Sequence, residues 1–161
     1  MEMEEWQFQK ILPWRIKMED NKKAINNMDL IISIKVMQGN PTPQTQSAFI
    51  NQMIHAKFLT PAVSSMRKEQ STGEERKMYR FPHVANAGGE QYLIAFTDEL
   101  ELNKWQVEGE YEAIVSDFKN FSSITLQKGS PYNGFVINPF NENLIVNKET
   151  MLHINGNLRK K

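Results

Sequence analysis

The sequence predicts an α+β domain, a mixed β-sheet packed with several helices. Three observations lead there. The 161 residues suit a single domain, and a chain of this size buries roughly 70% of its unfolded surface, enough for a core without covalent staples. Apolar residues recur at helical spacing in some segments and alternate as in strands in others. The two kinds are interleaved without a regular βαβ rhythm, an internal repeat or a low-complexity tract, which favours the α+β class.

Residues 1–19 hold Trp6, Phe8, Pro13 and Trp14 and show no clean period, so they read as an N-terminal extension to a domain over 20–157, with 158–161 a frayed C-terminus. Two tryptophans are unusual in a disordered tail and imply docking on this domain or on a second copy. Asp20 or Asn21 can cap a helix whose face carries Ile25, Met28, Ile32 and Val36. Leu30, Ile32, Ile34 and Val36 also alternate as in a strand; the cap and the Gly39-Asn40 stop favour a helix. Thr42-Pro43 opens a second helix, because threonine caps free amides and proline at the first position lacks one. Phe49, Ile50, Met53 and Ile54 form its buried stripe.

Phe58 to Val63 reads as a short strand that Pro61 confines to an edge or an irregular position. Residues 64–77 are polar and read as a flexible loop. Met78–Val84 and Gln91–Phe96 read as strands paired around Gly88-Gly89. Thr97-Asp98-Glu99 reads as a helix start with Thr97 as the cap, and the short helix ends near Trp105. Tyr111 to Val115 is a strand, and Ser116 caps a helix carrying Phe118, Phe121 and Ile124. Strands at 134–138 and 143–146 flank Pro139-Phe140, and Asn147 caps a last helix closed by Gly156.

Composition narrows the chemistry. With 19 basic and 19 acidic residues the net charge is zero, which argues against a general nucleic-acid binder. No cysteine means no disulfide, thiol nucleophile or thiolate metal site. The N-terminus lacks a secretory pattern, and the longest apolar run falls far short of the ~20 residues that span a bilayer, so the expectation is a cytoplasmic protein away from membranes. Charge is uneven: residues 1–80 hold 12 basic against 9 acidic, while 98–117 hold seven acids against Lys104 alone. A basic run at Arg67, Lys68, Arg76, Lys77 and Arg80, diluted by Glu69, Glu74 and Glu75, stands against it. Two solvated surfaces explain this most simply; an acidic patch that meets a basic partner is the functional reading.

The step Ile94-Ala95-Phe96-Thr97-Asp98, then Trp105, then Gly134-Phe135-Val136-Ile137-Asn138-Pro139-Phe140 and Asn143-Leu144-Ile145-Val146 resembles the N-terminal domain of the SseB family, named for enhanced serine sensitivity, over roughly residues 22–155. The resemblance implies a bacterial α+β module with no agreed catalytic residues. The first ~20 residues have no counterpart in the resemblance, and whatever a second, C-terminal domain does in some members is not expected to carry over.

His55, His83 and His153 lie in separate elements, with no metal-site spacing and no serine-hydrolase pattern. The expectation is therefore no enzyme, no cofactor and no metal. The leading reading is a protein-interaction module that binds an unknown partner or itself, with Trp6, Trp14, Phe96, Thr97, Trp105 and Asn138 as its interaction residues. Phe96, Thr97 and Trp105 have a plainer role as strand end, cap and core, and Asn138 as a turn; the alternative is a groove for an anion or a peptide. A sensor or regulator linked to amino-acid (serine) metabolism is the second reading.

Overall fold

A computed structural model describes residues 7–8, 16–17, 25–68, 70–105 and 111–159. In chain order the elements are β1 (Gln7–Phe8), β2 (Ile16–Lys17), α1 (Met28–Gly39), α2 (Pro43–His55), β3 (Lys57–Lys68), β4 (Glu75–Arg80) and β5 (His83–Ala85). Then follow β6 (Gln91–Ala95), α3 (Glu99–Leu102), β7 (Tyr111–Asp117), α4 (Phe118–Leu126), β8 (Tyr132–Ile137), β9 (Leu144–Asn147) and α5 (Lys148–Arg159). The fold is α+β, with two sheets: β1-β5-β6-β8-β9, where β6 and β8 run parallel, and β2-β7-β3-β4. No helix among the described residues is long and apolar enough to cross a membrane.

The five-stranded sheet is covered on both faces. Leu93, Ala95, Phe135 and Ile137 join Phe49, Met53, Phe121 and Met151 from the helices in one apolar cluster. Tyr92, Ile94, Phe96 and Val136 join Leu59, Leu102, Trp105 and Ala113 in another, against the second sheet. Strand alternation is what assigns these residues to opposite faces. Phe135 anchors the helical side: its ring stacks on Phe121 at 4.7 Å and meets Phe58 edge-on at 6.2 Å.

Backbone pairing of β1 with β5 and of β2 with β7 brings residues 7–8 and 16–17 of the N-terminal segment to an edge of each sheet. Trp6 and Trp14 lie outside the described residues.

Four expectations change. The first helix starts at Met28, not near Asn21, and its inward residues are Leu30 and Ile34; Met28, Ile32 and Val36, the face expected inside, are 60%, 52% and 51% exposed. The segment is apolar on several sides, so periodicity alone does not choose between its stripes. Residues 64–77 are not a loop throughout. β3 continues to Lys68 and turns back as β4, because cross-strand pairing from Val63↔Arg80 to Lys68↔Glu75 satisfies a backbone whose side chains are polar. Met78–Val84 is broken at Phe81-Pro82: its first part belongs to β4 in one sheet and its last to β5 in the other. α5 passes through Gly156 to Arg159.

α2 follows its local signals. Thr42 Oγ1 accepts the Thr45 amide and Thr45 Oγ1 accepts the Thr42 amide, a reciprocal cap, with Pro43 at the first position. Pro61 sits in an interior strand, yet its place is irregular as expected. Leu59 uses its amide and carbonyl on Phe96, on the side away from β7, so Pro61 two residues on turns its missing N–H to that same side. There it falls between the Phe96 bridge and the start of β4 pairing at Val63, where no ladder bond is required.

Candidate functional site

Phe96, Thr97, Trp105 and Asn138 come together in the structure, and all four are fully buried. β6 delivers Phe96 out of its own sheet. Phe96 and Leu59 exchange two backbone hydrogen bonds of 2.8 Å, which tie one sheet to the other. The Phe96 ring lies parallel to Phe140, 6.3 Å away, and shares its apolar cluster with Trp105, which meets Tyr111 edge-on at 5.8 Å. Burial pushes the Tyr111 hydroxyl up to about 12.

Polar groups close the node. The Thr97 amide donates to Asn138 Oδ1 at 3.0 Å, and Asn138 Nδ2 donates to Thr97 Oγ1 at 2.9 Å and to Glu142 Oε2 at 3.0 Å. The Asn138 amide donates to Ala95 O, and its carbonyl accepts from the Asn141 and Asn143 amides. One side chain thus joins the ends of β6 and β8 with both donors and its acceptor used. Only an asparagine-type amide offers that set at a short reach. It also tolerates the left-handed backbone that the turn requires, φ +48° at Asn138 and +52° at Asn143.

Thr97 is not the cap of α3. Its hydroxyl donates to Asp98 Oδ2, while Asp98 Oδ1 accepts the Glu101 amide at 2.9 Å and is the true cap. The cap moves one residue because Thr97 is already committed to Asn138. Likewise α4 is capped by Asp117, whose Oδ1 accepts the Asn120 amide, and not by Ser116. Asn147 Oδ1 accepts the Thr150 amide at the start of α5. Asn27, outside every motif singled out in the sequence, donates from Nδ2 to the carbonyls of Thr97 (2.8 Å) and Lys57 (2.7 Å). It stands at the cap position of α1 but its side chain makes no cap bond there, so α1 gives up a cap to fasten itself to both sheets.

Glu101 is the residue sequence reasoning missed. It is 5% exposed although it belongs to the most acidic stretch. Its Oε1 accepts from Lys104 Nζ at 2.7 Å and Asn141 Nδ2 at 3.0 Å, while Oε2 has no hydrogen-bond partner among the described residues. The available signal was the acid-x-x-Glu spacing of Asp98 and Glu101 at a helix start. The acidic run is therefore not one surface: Asp98 and Glu101 turn to the node, Glu99 is exposed, and 106–110 lie outside the described residues. Desolvation acts to raise the Asp117 pKa, but the Asn120 amide and Lys57, 3.1 Å away, outweigh it and hold the carboxyl below its ordinary value.

The histidines stay apart. His55 Nδ1 bonds Asn51 O, His153 Nε2 meets Asn157, and both are exposed. His83 packs edge-on to Tyr132 at 6.2 Å, and burial lowers its pKa. Among the described residues no group of three His, Asp or Glu is placed to hold a metal ion. Open grooves lie elsewhere: about 520 Å³ at the start of α1, lined by Ile25, Asp29, Gln52 and Lys57, and about 460 Å³ between α1 and α2, lined by Ile32, Val36, Ala48 and Gln52. None of Phe96, Thr97, Trp105 and Asn138 lines either groove, but Asn27, which bonds the Thr97 carbonyl, lines the first.

Comparison with curated proteins and with solved structures gives no match. A family model does match, over residues 34–150, a span that contains β6, β8, the Asn138 turn and the Phe96 bridge. That model describes the SseB protein N-terminal domain, and this chain belongs to the family.

Proposed function

We propose that this SseB-family domain is a non-enzymatic protein-interaction module. One observation carries the reading: Met28, Ile32 and Val36, at spacings of four, put an apolar stripe in solvent along α1. Side chains on one helical face that are more than half exposed cost solubility and gain nothing in the isolated molecule. They gain on meeting another surface. The residues that mark the family point the same way, because Thr97, Asp98 and Asn138 spend their polar atoms on one another and on the backbone.

Two measurements test this on the intact chain. Chemical cross-linking with mass spectrometry is expected to concentrate on the α1 stripe and to weaken in Ile32→Asp. A thermal-shift screen of amino acids and phosphorylated metabolites is expected to give no shift. A ligand present at 100 times its dissociation constant stabilises by about 2.7 kcal/mol; a shift of that size would replace this reading with the small-molecule sensor.

A further inference from the structure

α1 is apolar at two opposite poles. A helix turns about 100° per residue, which sets the buried Leu30 and Ile34 across the axis from Met28, Ile32 and Val36. A surface helix ordinarily carries its charges on that outer pole. Here they stand at the flanks of the stripe, Asp29 on one side and Lys35 on the other, and both are exposed. On the Asp29 side runs the groove of about 460 Å³ between α1 and α2, which Asp29 and Ser33 line from α1 and Ala48 and Gln52 from α2. Apart from Asp29 its lining residues are uncharged.

Met28, Ile32 and Val36, four residues apart, form a ridge. Two ridges of this kind lie side by side when their helices cross at about −50°. A ridge with a groove beside it is what a two-fold contact needs, because the ridge of each copy can enter the groove of the other. Charge then fixes the direction. Asp29 and Lys35 lie three residues before and three after Ile32, on opposite flanks and at nearly the same level along the ridge. With the two ridges running the same way, the two-fold axis lies along them. It carries the partner's Lys35 across to Asp29, and the partner's Asp29 across to Lys35. With the ridges opposed, Asp29 meets the partner's Asp29 and lysine meets lysine, and like charges brought together in a contact repel.

We propose that the outer pole of α1 is a self-association surface whose occupant is α1 of a second copy of this chain. The two ridges run the same way, each seated in the other's α1–α2 groove, and an Asp29–Lys35 pair closes each flank. This rests on the interaction reading above and names the surface and the partner. A contact of one ridge and one groove falls at the small end of specific interfaces, so the dimer is weak and forms at high protein concentration.

The test uses the intact chain. Sedimentation equilibrium from about 10 μM to about 1 mM is expected to show a reversible monomer–dimer equilibrium, abolished in Ile32→Asp. Asp29→Lys and Lys35→Asp are each expected to weaken it about fivefold or more, and the two together to restore it. Direction is read by disulfide trapping, for which the absence of cysteine gives a clean background. Met28→Cys and Val36→Cys are each expected to form covalent dimers alone in a glutathione buffer, because each residue meets its own copy. Leu152→Cys, 57% exposed on α5, measures random collision. A chain that stays monomeric throughout, trapping at positions 28 and 36 no faster than at 152, or a double reversal that fails to restore association would each overturn the proposal. The trapping variants keep both charges, so they decide the matter even where a charge reversal unsettles α1. A monomer whose α1 cross-links to a different protein removes the second copy alone and leaves the interaction reading, which falls on the metabolite shift instead.

Discussion

The node around Asn138 and the β3–β4 ribbon treat polarity in opposite ways. At the node, Thr97 and Asn138 are fully buried and bonded to each other. In the ribbon, Met66, Met78 and Arg80 face water. The first region is closed and leaves little for a ligand to satisfy. The second keeps apolar and polar side chains in solvent. The lesson is that recognisable sequence marks need not be where a domain meets its partner. Here they fix the joint between two sheets, while the exposed side chains of the ribbon fall outside them.

Four experiments sharpen or break this contrast. The largest effect is expected beside the node. Gly134 has φ +150°, and a Cβ there would stand 2.1 Å from Val146 O in β9. Gly134→Ala must push apart backbone that cannot yield cheaply, with an expected loss of about 3–5 kcal/mol in urea unfolding. A loss below 1 kcal/mol would mean that β9 is less firmly held than its pairing indicates. Asn138→Ala comes next. It strands the Thr97 amide and takes a donor from the Thr97 hydroxyl and the Glu142 carboxylate, for an expected cost of about 2–3 kcal/mol. Asn138→Asp should cost no less, since it replaces a donor of two bonds by an acceptor facing Glu142. An Asp variant as stable as the wild type would sink the account of the node.

A smaller effect concerns His83. Burial lowers its folded pKa below 6.5. The unfolded chain then binds the proton more readily, so the contribution to stability is fully present above pH 6.5 and fades as the pH falls toward the folded value. His83→Gln is expected to flatten that part of the stability-against-pH curve, and NMR titration of the ring to give a midpoint below 6.5. A midpoint above 6.5 would show a charged partner in place of simple burial. The smallest effect belongs to the ribbon. Met66→Thr and Met78→Thr are expected to change stability by less than about 0.5 kcal/mol, because both side chains are in water. A loss near 2 kcal/mol would show that the ribbon is packed and not open.

What could be read in the sequence was local. The Thr42 cap and the Phe49–Met53 stripe lie within a dozen residues of each other, and the structure follows them. The family steps were legible as strings, and they fall at the ends of β6 and β8. What they do was not legible, because Thr97 and Asn138 are 41 positions apart and meet only once the parallel pair of strands is formed. The same limit hid the ribbon: nothing within 64–77 signals a strand until Arg80 is laid opposite Val63. In α1 the failure was one of degeneracy. Two apolar stripes compete there, and the contact with α2 and the sheet decides for Leu30 and Ile34. Glu101 was misjudged because charge was read as exposure, whereas Asn141 and Lys104 compensate it inside.

The pair of bonds between Leu59 and Phe96 has a consequence for how the molecule comes apart. Neither sheet can peel away while that crossing holds, and it sits at full burial beneath both layers. Local fraying at the ribbon or the grooves does not reach it. The amides of residues 59 and 96 should therefore exchange with solvent only when the whole domain melts, at a common rate, as a single cooperative unit.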